Sequence, residues 1–264
     1  MNQLPDPFPP TWASDWGEDE QGLWTSLTVD DARQDFRWIK PGRFLMGSPE
    51  SEKGRDNDER QHEVVLSSGF WLADTTVTQA LWKAVMGDNP SDFKGMERPV
   101  ENITWEDVQR FIETLNKTND DHRFRLPTEA EWEYACRAGT LTPFSFGENI
   151  STEQANYNGN YPYAGSEEGM YREETLDVKA LPCNDWGLYQ MHGNVWEMCS
   201  DWFGEYSGEA QIDPQGTPAG EARVIRGGSW IARARRVRSA YRGNWKPDEC
   251  GGITGFRLVF DESK

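Results

Sequence analysis

Hydrophobic and polar positions alternate over short distances in this chain, and the pattern changes character twice. Residues 1–33 are polar with scattered aromatics, which predicts an extended lead-in followed by a short polar or helical piece. From Phe36 the run FRWIKPGRFLMGS predicts two short strands broken at Pro41-Gly42. Residues 50–61 are charged throughout and read as a loop, after which HEVVLSSGFWLADT resumes strand character. Three helices follow. The stretch 77–86 (VTQALWKAVM) forms the first and ends before Gly87. Thr104 caps the second, where Trp105, Val108, Phe111, Ile112 and Leu115 recur at helical spacing on one face. Thr128 and Glu131 make a T-x-x-E capping box ahead of EAEWEYACRA, which Gly139 terminates. Beyond Gly139 the helical signal vanishes. The remainder is rich in Gly, Asn, Pro and aromatics, with β-type runs at VIRGGSW and GFRLVF. No repeat and no linker interrupts it, so one α+β domain with long loops is the economical expectation, and loops of that length are usually functional or fixed by ligands.

Composition sharpens this picture. Thirteen Trp and only 36% hydrophobic residues in 264 positions, with 25 Gly and 15 Pro, imply a fold built around indole rings with much turn-rich backbone. Lys and Arg number 27 against 45 Asp and Glu, a formal charge of −18, which argues against a general nucleic-acid binder. No stretch approaches the roughly 18 consecutive apolar residues of a membrane-spanning helix. The first 25 residues hold neither Lys nor Arg and no apolar segment, so a secretory signal is not expected and a cytoplasmic location is. Cys136, Cys183, Cys199 and Cys250 lie far apart without a CxxC, which fits reduced thiols better than a disulfide framework or zinc knuckle.

The charge is uneven. Asp6, Asp15, Glu18, Asp19, Glu20 and Asp30 give residues 1–30 a local charge of −6. Between 222 and 247 the balance reverses: Arg223, Arg226, Arg233, Arg235, Arg236, Arg238, Arg242 and Lys246 give +8 with no acid. Either this is a basic binding surface inside an acidic protein, or these arginines pair with the acidic remainder.

Seven motifs, GRFLMGS, FWLADTTVTQALW, RPVENITWEDVQRF, RLPTEAEWEYACRAG, GLYQMHGNVWEMCSDW, RVIRGGSW and GFRLVF, occur in that order between about Phe36 and Phe260. Together they resemble the formylglycine-generating enzyme family, or sulfatase-modifying factor domains. The resemblance implies a C-type-lectin-related fold over residues 34–264 with little regular secondary structure, leaving 1–33 as an acidic lead-in. It also implies chemistry: family enzymes oxidise a sulfatase cysteine to formylglycine, using oxygen and copper held by two cysteines that follow the GGS motif. Cu(I) is soft and selects thiolates. Here the first of those positions is Ala232, the second falls near Val237, and no cysteine occurs from 233 to 249. Copper binding is therefore not expected. Cys250 in PDECGG has no partner cysteine nearby, and Cys199 reads as a packed small residue. A related iron-dependent branch uses a His cluster, whereas His62, His122 and His192 are widely separated here.

The resemblance further implies two structural calcium sites. One carries over to Gln190, Gly193, Val195 and Glu197, the other to Asn156, Tyr157, Glu168 and Met170; an oxygen-only donor set suits a hard cation. Finally, the family includes non-catalytic members, among them the variable proteins of diversity-generating retroelements, that display ligand contacts between GGSW and GFRL. On that resemblance the expected recognition surface is Trp230, Ile231, Arg233, Arg235, Arg236, Arg238, Tyr241, Asn244, Trp245 and Lys246. Arg and aromatics are the composition of binding hot spots, and the expected partner is a protein or peptide, acidic by charge complementarity. Two alternatives stand beside this one: an oxidase acting on a protein cysteine through Cys250 or Cys199, and an accessory subunit that docks through the acidic lead-in.

Overall fold

Inward and outward side chains alternate along β3 (Ala32–Ile39), where Ala32, Gln34, Phe36 and Trp38 face the core. This strand pairs antiparallel with β2 (Gly22–Val29) on one side and β6 (Phe70–Ala73) on the other. The sheet is completed by β1 (Asp15–Asp19) beyond β2, and by β13 (Val259–Phe260) and β7 (Phe124–Arg125) beyond β6, giving six strands in the order β1-β2-β3-β6-β13-β7. The computed structural model describes residues 4–117 and 123–261, so His122 lies outside the described residues.

The N-terminal segment therefore corrects the expectation of an extended or helical lead-in. It forms the outer strands of the main sheet, and β3 runs across the expected boundary at residue 33. Trp12 and Leu27 are buried, and the Trp12 ring lies 5.1 Å from Phe36 and 4.9 Å from Phe260. Its acidity is partly neutralised by β3, through Asp15–Arg33 at 3.1 Å and Asp19–Arg37 at 2.6 Å. Strands this polar on their outer face carry a weak hydrophobic signal, and only the core face identifies them.

A second sheet orders β11 (Gly243–Trp245), β10 (Arg223–Arg226), β8 (Trp196–Trp202) and β12 (Thr254–Gly255), with β12 parallel to β8. A third joins β4 (Gly42–Met46), β5 (His62–Leu66) and β9 (Gln211–Ile212). The helices stand where their caps place them. Thr78 caps α1 (Gln79–Met86), which stops at left-handed Gly87. Thr104 and Asp107 close a capping box on α2 (Trp105–Asn116), and Thr128 and Glu131 close one on α3 (Glu129–Arg137). The C-cap of α3 is Ala138 in the left-handed region, one residue before Gly139. No described helix is long and apolar enough to cross a membrane.

Between α3 and β8 no helix or strand is assigned from 138 to 195. Side chains supply the order there. Asn184 donates to Ala135 O and accepts from Trp186 N and Leu188 N, and Asn194 accepts from Leu176 N at 2.8 Å. Phe144, Tyr157 and Tyr163 form an apolar cluster of their own with Ala232, Ala234 and Val237. Trp12, Trp38, Trp71, Trp82, Trp132 and Trp196 are buried, so indole rings do fill the core.

Candidate recognition surface

Strand β10 ends at Arg226 because Gly227 and Gly228 turn the chain with φ of +88° and +76°. A Cβ on Gly228 would stand 2.5 Å from Val237 Cγ1 and 2.9 Å from the Arg236 carbonyl oxygen. The returning chain crosses directly over the double glycine, so no larger residue fits there. After the turn, Trp230 donates its backbone N–H to Asn194 O and its indole N–H to Gly252 O. Its ring packs edge-on to Phe93 at 5.5 Å and parallel to Tyr171 at 6.2 Å. Ala232 O accepts from Asn158 N, and a 3-10 turn over Ala234–Val237 follows.

The arginines of this segment divide into two kinds. Arg226, Arg238 and Arg242 are buried. Arg226 pairs with Glu133 and donates to Ser239 O at 2.7 Å and Tyr241 O at 2.8 Å. Arg238 makes a two-pronged pair with Glu59 at 2.7 and 2.8 Å, also contacts Glu52, and donates to Gly54 O. Arg242 holds Glu129 at 2.7 and 2.8 Å and lies 3.8 Å from the centre of the Tyr206 ring. Burial pushes the carboxyls of Glu129 and Glu59 up, but Arg242 and Arg226 around the first and Arg238 on the second outweigh it and hold both below their ordinary values. Arg223 is sandwiched between Trp202 at 3.5 Å and Trp105 at 4.0 Å.

This corrects the expectation of a strongly basic face. Arg238 is not a surface residue, and four of the eight cations serve to fasten the segment. Exposed positions are Ile231 (48% exposed), Arg233, Arg236, Asn244 and Lys246, with Trp230, Arg235, Tyr241 and Trp245 half-buried. Arg233 lies over the Tyr161 ring at 4.5 Å, and Arg235 pairs with Asp56 at 3.2 Å. Tyr161, itself exposed, joins the surface through its carbonyl, which accepts from Ala234 N. Sequence reasoning missed Tyr161 and the acids Glu52, Glu59, Glu129 and Glu133. The only signal for these acids was the charge opposition between residues 50–61 or α3 and the arginine cluster.

A family model, the sulfatase-modifying factor enzyme 1-like domain, matches residues 25–262. The chain belongs to this family. Formylglycine-generating enzyme of Bos taurus is 33% identical over 208 residues, covering 75% of this chain and 53% of that enzyme. The chain thus spans about half the length of that curated relative. Among solved structures, Treponema denticola variable protein 1 superposes with a TM-score of 0.77 at 30% identity, over 90% of this chain and 98% of that one. PvdO from Pseudomonas aeruginosa follows at 0.72 and 25% identity, over 95% of this chain and 99% of that one. The architecture is therefore the α+β fold of sulfatase-modifying factor domains.

Against that family, the positions expected for copper cysteines hold Ala232 and Val237, both buried and without a donor atom. Burial pushes the Cys136 thiol up to about 12 and the Cys199 thiol well above its ordinary value, so both stay protonated at neutral pH. Cys250 is exposed on a loop. His192 lies against Cys136, but its Nδ1–H donates to Val237 O at 2.7 Å and its Nε2 accepts from Ser145 N and Oγ. That ring is fully committed, and burial lowers its pKa to about 4.

The two sets expected for calcium differ. Glu197 offers both carboxylate oxygens to Arg257, each at 2.6 Å, and one also to Trp132 Nε1. Gln190 turns its amide N–H to Asp177 O. The positive charge at this position is a guanidinium, so these residues do not fit a bound cation. In the other set Asn156 and Tyr157 are buried while Glu168 and Met170 are exposed. Asn156 Oδ1 is buried with no hydrogen-bond partner among the described residues, which fits an oxygen-seeking cation. No cluster of three or more His, Cys, Asp or Glu side chains able to hold a metal occurs among the described residues.

Proposed function

We propose that this chain is a non-catalytic module that binds a protein or peptide through the surface following Gly228. The observation that carries this reading is the division of labour within residues 226–246. Buried Arg226, Arg238 and Arg242 tie the backbone of the segment to acids of α3 and of the 50–61 loop. Ile231, Arg233, Arg236, Asn244 and Lys246 are left facing solvent on that rigid base, beside Tyr161. A fixed scaffold with exposed apolar, aromatic and cationic tips suits recognition. The likeness to variable protein 1 supports it, as does the replacement of both expected copper ligands by Ala232 and Val237. Arg233, Arg236 and Lys246, in no ion pair among the described residues, favour a partner with acidic groups near its apolar contact. Calcium, held through Asn156 Oδ1 and backbone carbonyls of the same loop, is proposed as a structural ion.

Selection of a displayed random-peptide library on the purified protein tests this. The selected peptides should lose binding to a variant carrying Ile231→Asp, Arg233→Glu and Arg236→Glu whose melting temperature is unchanged; binding that survives the triple change refutes the surface. Separately, incubation with a sulfatase-type cysteine peptide, Cu(I) and oxygen should yield no aldehyde. Formylglycine in the product would overturn the non-catalytic reading.

A further inference from the structure

A cavity of about 330 Å³ opens between the 50–61 loop and the segments 141–149 and 163–164. That size is within the range of small-molecule sites. Its walls are largely apolar and held in place. Pro143 and Tyr163 are buried; the Tyr163 hydroxyl donates to Lys53 O at 2.7 Å, and its ring stands edge-on to Phe144 at 5.0 Å. Pro49 and Leu141, the latter 70% exposed, complete the apolar wall. Lys53 and Glu148, one charge of each sign, are exposed at the mouth. The deep end is a carboxylate. The Glu52 side chain is only 3% exposed, and its Oε1 accepts from Arg238. The other oxygen, Oε2, accepts no hydrogen bond among the described residues, yet it is not sealed from solvent. With the rest of that side chain enclosed, the open surface of Oε2 faces the cavity that Glu52 lines.

Arg238 does not match this carboxylate alone, because the same guanidinium holds both oxygens of Glu59. Glu59 also accepts from Ser48 Oγ and Asp56 N, whereas Glu52 has no further donor among the described residues. The two acids respond differently. Glu59 is held below its ordinary value, while burial, with Glu59 adding to it, pushes Glu52 up further than Arg238 and Arg137 pull it down. Arg137 is itself paired with Glu133 at 2.9 Å. Every N–H of Arg238 is spent, on Glu52, Glu59, Gly54 O and Arg235 O, so it leaves no donor for an anion. We propose that the cavity binds a primary alkylammonium group, with its N–H donors on Glu52 Oε2 and its aliphatic stem along Pro49, Leu141, Pro143 and Tyr163. A neutral alcohol satisfies Oε2 but brings no charge to the undercompensated carboxylate. The same chemistry is offered by a free amine and by a lysine side chain of another protein.

The probe is n-butylammonium chloride, titrated at neutral pH into the full chain while NMR signals of the Leu141 methyls and the Tyr163 ring are followed. Methylammonium, 1-butanol and butyrate serve as comparators. Butylammonium should shift both signals saturably. Methylammonium should bind about tenfold more weakly for want of a stem, 1-butanol about tenfold more weakly for want of charge, and butyrate not at all. Glu52→Gln should abolish the preference for butylammonium over 1-butanol, whereas Glu50→Gln, an equal change in charge at an exposed site on the same loop, should leave it intact. Leu141→Ser, which leaves the buried ion pairs untouched, should weaken butylammonium about threefold and methylammonium hardly at all, read at Tyr163. Nα-acetyl-lysine N-methylamide separates the sources: binding as tight as that of butylammonium marks a pocket for a protein lysine, and weaker binding marks one for a free amine. Absence of a saturable shift at roughly 50 mM butylammonium overturns the proposal. So does a preference for butylammonium that survives Glu52→Gln, or one that Glu50→Gln reduces equally.

Discussion

Arg238 and Arg236 are two residues apart in the same basic run, yet one is enclosed by Glu52 and Glu59 and the other points into water. Removing a buried partner leaves charges without compensation, whereas an exposed arginine contributes little. Arg238→Met should therefore destabilise the protein by about 3–5 kcal/mol, because both glutamates remain buried. Arg236→Met should stay within about 0.5 kcal/mol of the parent. Urea unfolding of the two variants decides it, and equal midpoints would contradict the assignment of Arg238 to the scaffold. Arg223 illustrates a third role: flanked by two indoles, it contributes through stacking and has no carboxylate partner among the described residues.

At the scale of elements, α3 links the core to the segment 226–246. Its first turn presents Glu129 to Arg242, and one turn later Glu133 takes Arg226 and Arg137 while accepting from Gly47 N. Thr128→Ala removes the cap that holds this turn and should cost about 1 kcal/mol, read as a lower denaturation midpoint. In the loop from 138 to 195, excess Ca²⁺ should raise the melting temperature, as ligand that binds only the folded state does. Asn156→Ala should abolish that calcium-dependent rise; a rise that persists moves the ion elsewhere. The helices and caps were legible because capping boxes are local, set by residues three apart. Strand β8 was not, since WEMCSDW carries Glu197 and Asp201 inward, and Arg257 and Trp132 from distant segments make an inward Glu197 tolerable. Strands β1 and β2 were missed for the related reason that their outer face is polar, the acids of β1 being answered by Arg33 and Arg37 of β3.

The molecule as a whole should show a pH dependence that reports its buried acids. Burial, followed by repulsion from Glu129, raises Asp201 from 3.8 to about 7. The folded state thus keeps a proton that the unfolded chain has lost. The stabilisation is complete below 3.8 and disappears as pH rises to about 7. Asp201→Asn keeps the acceptor for Glu129 N and removes the titration, so its stability relative to the parent should increase across that window. An unchanged difference over the same range would show that Asp201 does not titrate there. His192 acts in the opposite sense: its pKa falls from 6.5 to about 4, so its contribution is present above 6.5 and lost as the pH falls to about 4.

Local chemistry along the chain determined the helix caps at Thr104 and Thr128, the turns at glycine, the family, and the absence of cysteine at Ala232 and Val237. Each of these depends on residue type at short spacing, which a sequence states outright. Which charges face water depended on the tertiary structure alone. The run from 222 to 247 reads as +8, but ion pairing is a property of positions brought together from across the chain. Glu52, Glu59, Glu129 and Glu133 lie roughly 90 to 190 residues from the arginines they hold. Once those pairs form, the desolvated arginines become scaffold, and the side chains left facing solvent are the proposed recognition surface: Ile231, Arg233, Arg236, Asn244 and Lys246, beside a tyrosine from a different loop.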